Sequence, residues 1–168
     1  SLFLMSMNSS RKSEKRFSFW TDILLWANYL MLLVGLLVAF AGNSFVFNLH
    51  NDGTFEVFNK GEQLSSPIID LKNWLFGIIG ATMVGFNVMA IFIIRFALKA
   101  KEIWAWNALF YGIIIWFIID SGISIYYAAY YNIYLINIPA LLTFLIPLFF
   151  TRVFIVKHLP SSHGSDII

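Results

Sequence analysis

The chain has 168 residues, 60% of them hydrophobic and 12% charged, with a formal net charge of +2 and a mean hydropathy of +0.78. Ordinary soluble domains carry about 25% charged residues, and the long apolar runs here are hydrophobic all round, so they read as helices solvated by lipid rather than one-sided helices of a soluble core. The length fits one membrane domain over residues 1–168, the small dispersed charge offers nucleic acid no footprint, and the absence of cysteine excludes structural disulfides, CxxC redox chemistry and thiolate metal ligands.

Residues Ser1 to Ser10 are too short and too poorly flanked for a secretory signal, and residues 1–16 read as a flexible basic arm bearing Arg11, Lys12, Lys15 and Arg16. The first apolar run, Phe19 to Ala41, covers about 34 Å at about 1.5 Å per residue, enough to span a bilayer. Asp22 lies within a turn of the basic arm. Between residues 42 and 73 comes the one sizeable loop. Ser44-Phe-Val-Phe-Asn-Leu49 and Thr54-Phe-Glu-Val-Phe58 nearly alternate around His50-Asn-Asp-Gly53, which predicts a β-hairpin capping the bundle, with His50 exposed in its turn.

The second run, Trp74 to Ala97, closes on Arg95 and Lys99, and the third, Ile103 to Ile125, opens after Lys101 and Glu102, so the two form a tight helical hairpin. The fourth, Ile133 to Phe150, contains Pro139 and Pro147 and stops at Arg152; prolines inside a span predict kinks. Residues 159–168 read as a flexible tail. The fold class expected is an all-α membrane protein: a four-transmembrane-helix bundle with a short extracytoplasmic β-hairpin between helices 1 and 2.

Lysine and arginine set the orientation. Arg11, Lys12, Lys15, Arg16, Arg95, Lys99, Lys101, Arg152 and Lys157 fall on one side and only Lys60 and Lys72 on the other, which by the positive-inside rule predicts a multi-pass protein of the cell membrane with both termini cytoplasmic. Trp20, Trp104 and Trp106 would line the inner boundary, and Trp74, Tyr126, Tyr127, Tyr130 and Tyr131 the outer one. The Asn8-Ser9-Ser10 sequon on a cytoplasmic arm should be silent.

Asp120 is the one carboxylate within a span and away from a basic cluster, which makes it the first candidate for function. Its depth is near the outer surface, and it shares a face with Trp116 and Ser124 at i±4. It therefore reads either as a hydrogen-bonded structural acid or as part of a ligand site with Trp116, Ser121, Ser124 and Asn132. Asn28, Asn87, Asn107 and Asn137, with Thr82 and Thr143, read as polar glue between helices, and Asn28 and Asn87 lie at matching depth. Gly77, Ala81 and Gly85 make a small-residue stripe suited to packing within the chain or against a second copy. No spacing among His50, Asp52, Glu56, Glu62, Asp70 and Asp120 makes a catalytic or metal motif, and His50, His158 and His163 lie outside the spans and cannot ligate haem there. No cofactor is expected; membrane lipids are the expected surroundings, with a homo-oligomer or larger membrane complex as the possible protein partner.

The stretch Trp74-Leu-Phe-Gly-Ile-Ile-Gly-Ala-Thr82, Lys101-Glu-Ile-Trp-Ala-Trp-Asn107, Trp116-Phe-Ile-Ile-Asp120-Ser121 and Pro147-Leu-Phe-Phe-Thr-Arg152 resembles small four-span bacterial integral membrane proteins of uncharacterised role, and more distantly, through span count and Trp-Ala-Trp, DoxX-like proteins. That resemblance implies topology and no site residues. Two readings remain open: a non-enzymatic accessory or self-associating bundle, and a binder, transporter or enzyme acting on a lipid or other apolar ligand near Asp120.

Overall fold

A computed structural model describes residues 2–60 and 65–156, with side chains from Ser10 onward; the tail 159–168 and Glu62 lie outside the described residues. Helix α1 runs Leu2–Ala41, so the arm at residues 2–16 continues the first span as helix. A 3-10 turn at Phe45–Phe47 leads to α2, Asn48–Asn59. Three longer helices follow: α3, Ser66–Leu98, α4, Ile103–Tyr126, and α5, Tyr130–Val156. With Ser10–Ala41 of α1, four helices are long and apolar enough to cross a membrane, and the chain is a polytopic helical bundle.

The expected β-hairpin is not there: no strand occurs among the described residues, and its place is taken by α2. The physical reason is that a lone hairpin is marginal in water and leaves two edges unpaired, whereas a helix satisfies its own backbone without a partner. The alternation in Thr54–Phe58 is too short to impose a strand. His50, Asn51, Thr54 and Val57 instead share one helical face turned toward the bundle, with Asn51 buried.

The first turns of the α1 span and the last turns of α5 lie at one end of the bundle. There Phe17 and Phe154 meet edge to face at 6.0 Å, Trp20 stacks on Phe150 at 4.4 Å, and Lys99 bridges to Asp22 at 2.7 Å while Lys101 bridges to Glu14. Arg152 sits 4.3 Å over the Trp106 ring, whose Nε1 donates to the Leu148 carbonyl at 2.7 Å. This is the basic end; α2 covers the other.

The α3–α4 and α4–α5 connections are Schellman turns. Glu102 N–H reaches Ala97 O at 3.0 Å and Lys101 N–H reaches Leu98 O at 2.8 Å; Ala129 N–H reaches Ser124 O at 2.8 Å and Ala128 N–H reaches Ile125 O at 3.0 Å. The left-handed residue that such turns require is Lys101 (φ 63°) in one and Ala128 (φ 57°) in the other, where glycine would be unstrained.

Burial is divided unequally between the two ends. The core comprises Phe17, Leu24, Leu25, Ala27, Ile91, Ile94, Ala97, Leu98, Ala105, Trp106, Ile113, Phe144, Leu148 and Ile155, all in the basic half and middle of the bundle. Toward α2 the buried side chains are small or polar: Ser121, Ser124, Ala129, Asn137, Ala140 and Asn51. Their apolar neighbours Val34, Val38, Phe76, Val84, Trp116, Phe117 and Leu141 are only half-buried.

The α1–α3 contact is sealed by glycines. A β-carbon on Gly80 would stand 2.5 Å from both Gly35 O and Ala39 N, so the two backbones touch. The stripe singled out in the sequence lies mostly elsewhere. Ala81 and Gly85 face outward, Gly85 has open space where a side chain would go, and only Gly77 approaches α1, with Ala39 O at 3.9 Å.

Candidate functional site: a polar cluster around Asp120

The α2 end of α4 carries Asp120, Ser121 and Ser124 within about one helical turn, and α5 brings two amides down beside them. Asn132 Nδ2 donates to Asp120 Oδ1 at 2.8 Å and to Ser124 Oγ at 2.9 Å. Asn137 Nδ2 donates to the same Asp120 oxygen at 2.8 Å and to Ser121 Oγ at 3.0 Å. Ser124 Oγ also approaches Asp120 Oδ1, at 3.4 Å. Three donors from two helices thus converge on one carboxylate oxygen.

Local backbone geometry makes this possible. Asn132 and Asn137 are five residues apart, about 140° around an α-helix of 3.6 residues per turn, and could not both face α4. Over Ile133–Asn137 the helix widens into a π turn, with Ile138 N–H bonding Ile133 O five residues back. Five-residue hydrogen bonding stacks positions i and i+5. The cause lies two residues on: in an α-helix the Pro139 ring would crowd the carbonyl of residue 135 and offer it no N–H. The proline kink expected in the fourth helix therefore takes the form of a wide turn that aims two amides at one acid.

Of the residues singled out in the sequence, Asp120, Ser121, Ser124 and Asn132 come together here. Asn137, read only as interhelical glue, is at the centre of the cluster and fully buried; its signal was the nearby Pro139. Trp116, one turn before Asp120, packs partly against the core. Asn28 and Asn87 lie elsewhere, each donating to the carbonyl four residues back, Leu24 and Met83, at 2.8 Å. Asn28 also lines a void of about 20 Å³ between all four long helices, with Phe86, Leu109 and Phe144 among its neighbours.

His50, expected to be exposed, is half-buried because α2 packs it inward. Its ring lies 5.3 Å from that of Tyr131 and 5.9 Å from that of Phe76, edge to face in both, with the polar side chain of Asn132 close by. Burial holds its pKa below the usual histidine value of 6.5, Asn132 pulls the other way, and Lys72 adds a lowering repulsion. Thr54 shares a hydrogen bond with the Tyr131 hydroxyl at 2.9 Å, and Asn51 Nδ2 donates to Gly42 O at 3.0 Å. These contacts pin α2 to α1, α3 and α5. Asn132 is the link between the roof and the acid.

The chemistry on offer is acceptance of a hydrogen bond or a positive charge. All described hydrogen bonds to Asp120 use Oδ1, and no group of histidine, aspartate and glutamate among the described residues could hold a metal ion. Comparison with known proteins returns no matching family model, curated protein or solved structure, so the geometry alone carries the functional argument.

Proposed function

We propose that this chain is a non-enzymatic multi-pass protein of the cell membrane that binds a lipid or other apolar ligand in the half of the bundle covered by α2, beside Asp120. In this reading the basic end is cytoplasmic, an orientation supported by the nine-to-two distribution of lysine and arginine, and α2 lies outside. The observation that carries the reading is the unequal core. The basic half is packed with large apolar side chains, whereas among the described residues the side chains buried in the α2 half are small or polar, and Trp116, Phe117 and Leu141 are half-buried. Ligand sites between the helices of bundles pair an apolar lining with a few placed polar groups, and both kinds of residue meet here.

A photoactivatable phospholipid in nanodiscs tests it. Crosslinks concentrated between Trp116 and Asn132 and on the inner face of α2 are expected. Labelling spread evenly over the outward residues of α3, such as Ile78 and Met89, would remove the reading.

Self-association is a second reading, favoured by one observation: Ala81 and Gly85 lie on an outward face with open space at Gly85, and close helix approach in lipid uses such surfaces. A Gly85→Leu substitution that leaves the mass of the particle in nanodiscs unchanged counts against it; conversion of a dimer to a monomer supports it.

A further inference from the structure

Resting on the ligand site just proposed, we infer that the ligand carries a primary ammonium group, which pairs with the free side of the Asp120 carboxylate. Oδ1 is already saturated by Asn132, Asn137 and Ser124, so the remaining capacity of the carboxylate is at Oδ2. Asp120 is half-buried, not sealed. Among the described residues it has no ion-pair partner; the two ion pairs, Lys99 with Asp22 and Lys101 with Glu14, are both at the basic end.

A carboxylate within a span and without a counter-charge is costly. The donors around Oδ1 lessen that cost but bring no positive charge. Asp120 lies six residues, under two turns, from the end of α4 at Tyr126, a depth that a headgroup or the polar end of an amphiphile can reach. A primary ammonium supplies three donors and one positive charge, whereas a phosphate or carboxylate ligand would bring further acceptors. A quaternary ammonium brings the charge without the donors.

The test uses the full chain in nanodiscs holding equal parts of phosphatidylethanolamine, phosphatidylcholine and phosphatidylglycerol, with native mass spectrometry of the retained lipid. Wild type is expected to retain phosphatidylethanolamine about tenfold over phosphatidylcholine, equivalent to about 1.4 kcal/mol. Asp120→Asn, which keeps an acceptor for both amides, should still retain lipid but without that preference. Equal retention of the three lipids by wild type, or an unchanged preference in Asp120→Asn, overturns the inference while leaving the ligand site standing. If wild type retains no lipid or amphiphile at all, the site itself is wrong.

Hexadecylamine separates the sources: displacement of phosphatidylethanolamine by it assigns a simple amphiphilic amine, and failure to displace assigns the lipid headgroup. A measurement on unaltered protein guards against misfolding of the variant. Infrared spectra should show Asp120 ionised in phosphatidylethanolamine; a protonated carboxyl there, neutral without any ammonium, overturns the inference.

Discussion

Gly53 on α2 lies against the ring of Tyr131 on α5, so close that an added β-carbon would stand 2.7 Å from the ring carbon Cγ. In the sequence this glycine marks a turn; in the fold it is the point where the roof helix meets the bundle. Gly53→Val should lift α2 from Tyr131 at a cost of about 1–3 kcal/mol, the usual range for overpacking. Hydrogen exchange would show faster amides over Asn48–Asn59 and unchanged ones in the core of α4.

Gly80 and Gly85 make a matched pair. A side chain at Gly80 meets backbone atoms of Gly35 and Ala39, which cannot rotate away, whereas one at Gly85 meets nothing within 4 Å. Gly80→Leu should separate α1 from α3 and cost several kcal/mol or prevent folding, beyond the about 1–3 kcal/mol of ordinary overpacking. Gly85→Leu should leave the thermal transition of the monomer in detergent near that of wild type.

The cluster itself can be dissected by a double-mutant cycle. Asn137→Ala removes two donor contacts, to Asp120 and Ser121, and should cost about 1–2 kcal/mol, the range for polar contacts between membrane helices. Combined with Asp120→Ala, which removes the shared acceptor, the two effects should fall short of their sum by at least about 0.5 kcal/mol, as for groups in direct contact. Strict additivity in thermal unfolding would show that the pair does not act as one unit.

Docking of α2 should depend on pH through His50. Its pKa is lowered in the folded state by burial, so the undocked state binds more protons in the interval below 6.5, and docking weakens as pH falls. Two neighbours act on it besides burial: Lys72 on α3 in the same direction, and Asn132 on α5 in the opposite one. Docking is complete above about pH 6.5 and is lost as pH falls through the lower native value. Because the chain has no cysteine, a fluorophore on Glu56→Cys can follow this without background, and His50→Gln should abolish the dependence.

Ala128 holds a left-handed conformation, φ 57°, that costs an L-residue about 1–2 kcal/mol relative to glycine. Ala128→Gly should therefore raise stability by up to about 1 kcal/mol once the extra freedom of glycine in the unfolded chain is counted. Thermal unfolding of the otherwise unaltered protein measures it.

The four long helices were legible because their runs are apolar on every side, a pattern that needs no tertiary information. The grouping of Asp120, Ser121, Ser124 and Asn132 was legible from α4 periodicity and the shortness of the turn to α5. Asn137 was not placed in it, since regular α geometry turns it away from Asn132, and only the π turn imposed by Pro139 restores it. His50 and the segment around it were misread together: a six-residue alternation suggested a strand, but with no partner strand available the backbone had to satisfy itself as a helix. The Gly77, Ala81 and Gly85 stripe was visible, yet spacing alone could not say which way it faced, and the close approach fell to Gly80.

Counted as an edit to the chain, the wide turn in α5 is one residue more than an α-helix needs between Ile133 and Asn137. Deleting one residue there and closing the turn to α geometry would place the two amides four residues apart, about 40° around the helix, so that both would still face α4. Pro139 would then crowd the carbonyl four residues before it, so the shorter helix would also have to lose its proline. The extra residue and the proline are thus two halves of one feature, and a relative lacking both would present the same pair of amides from a regular helix.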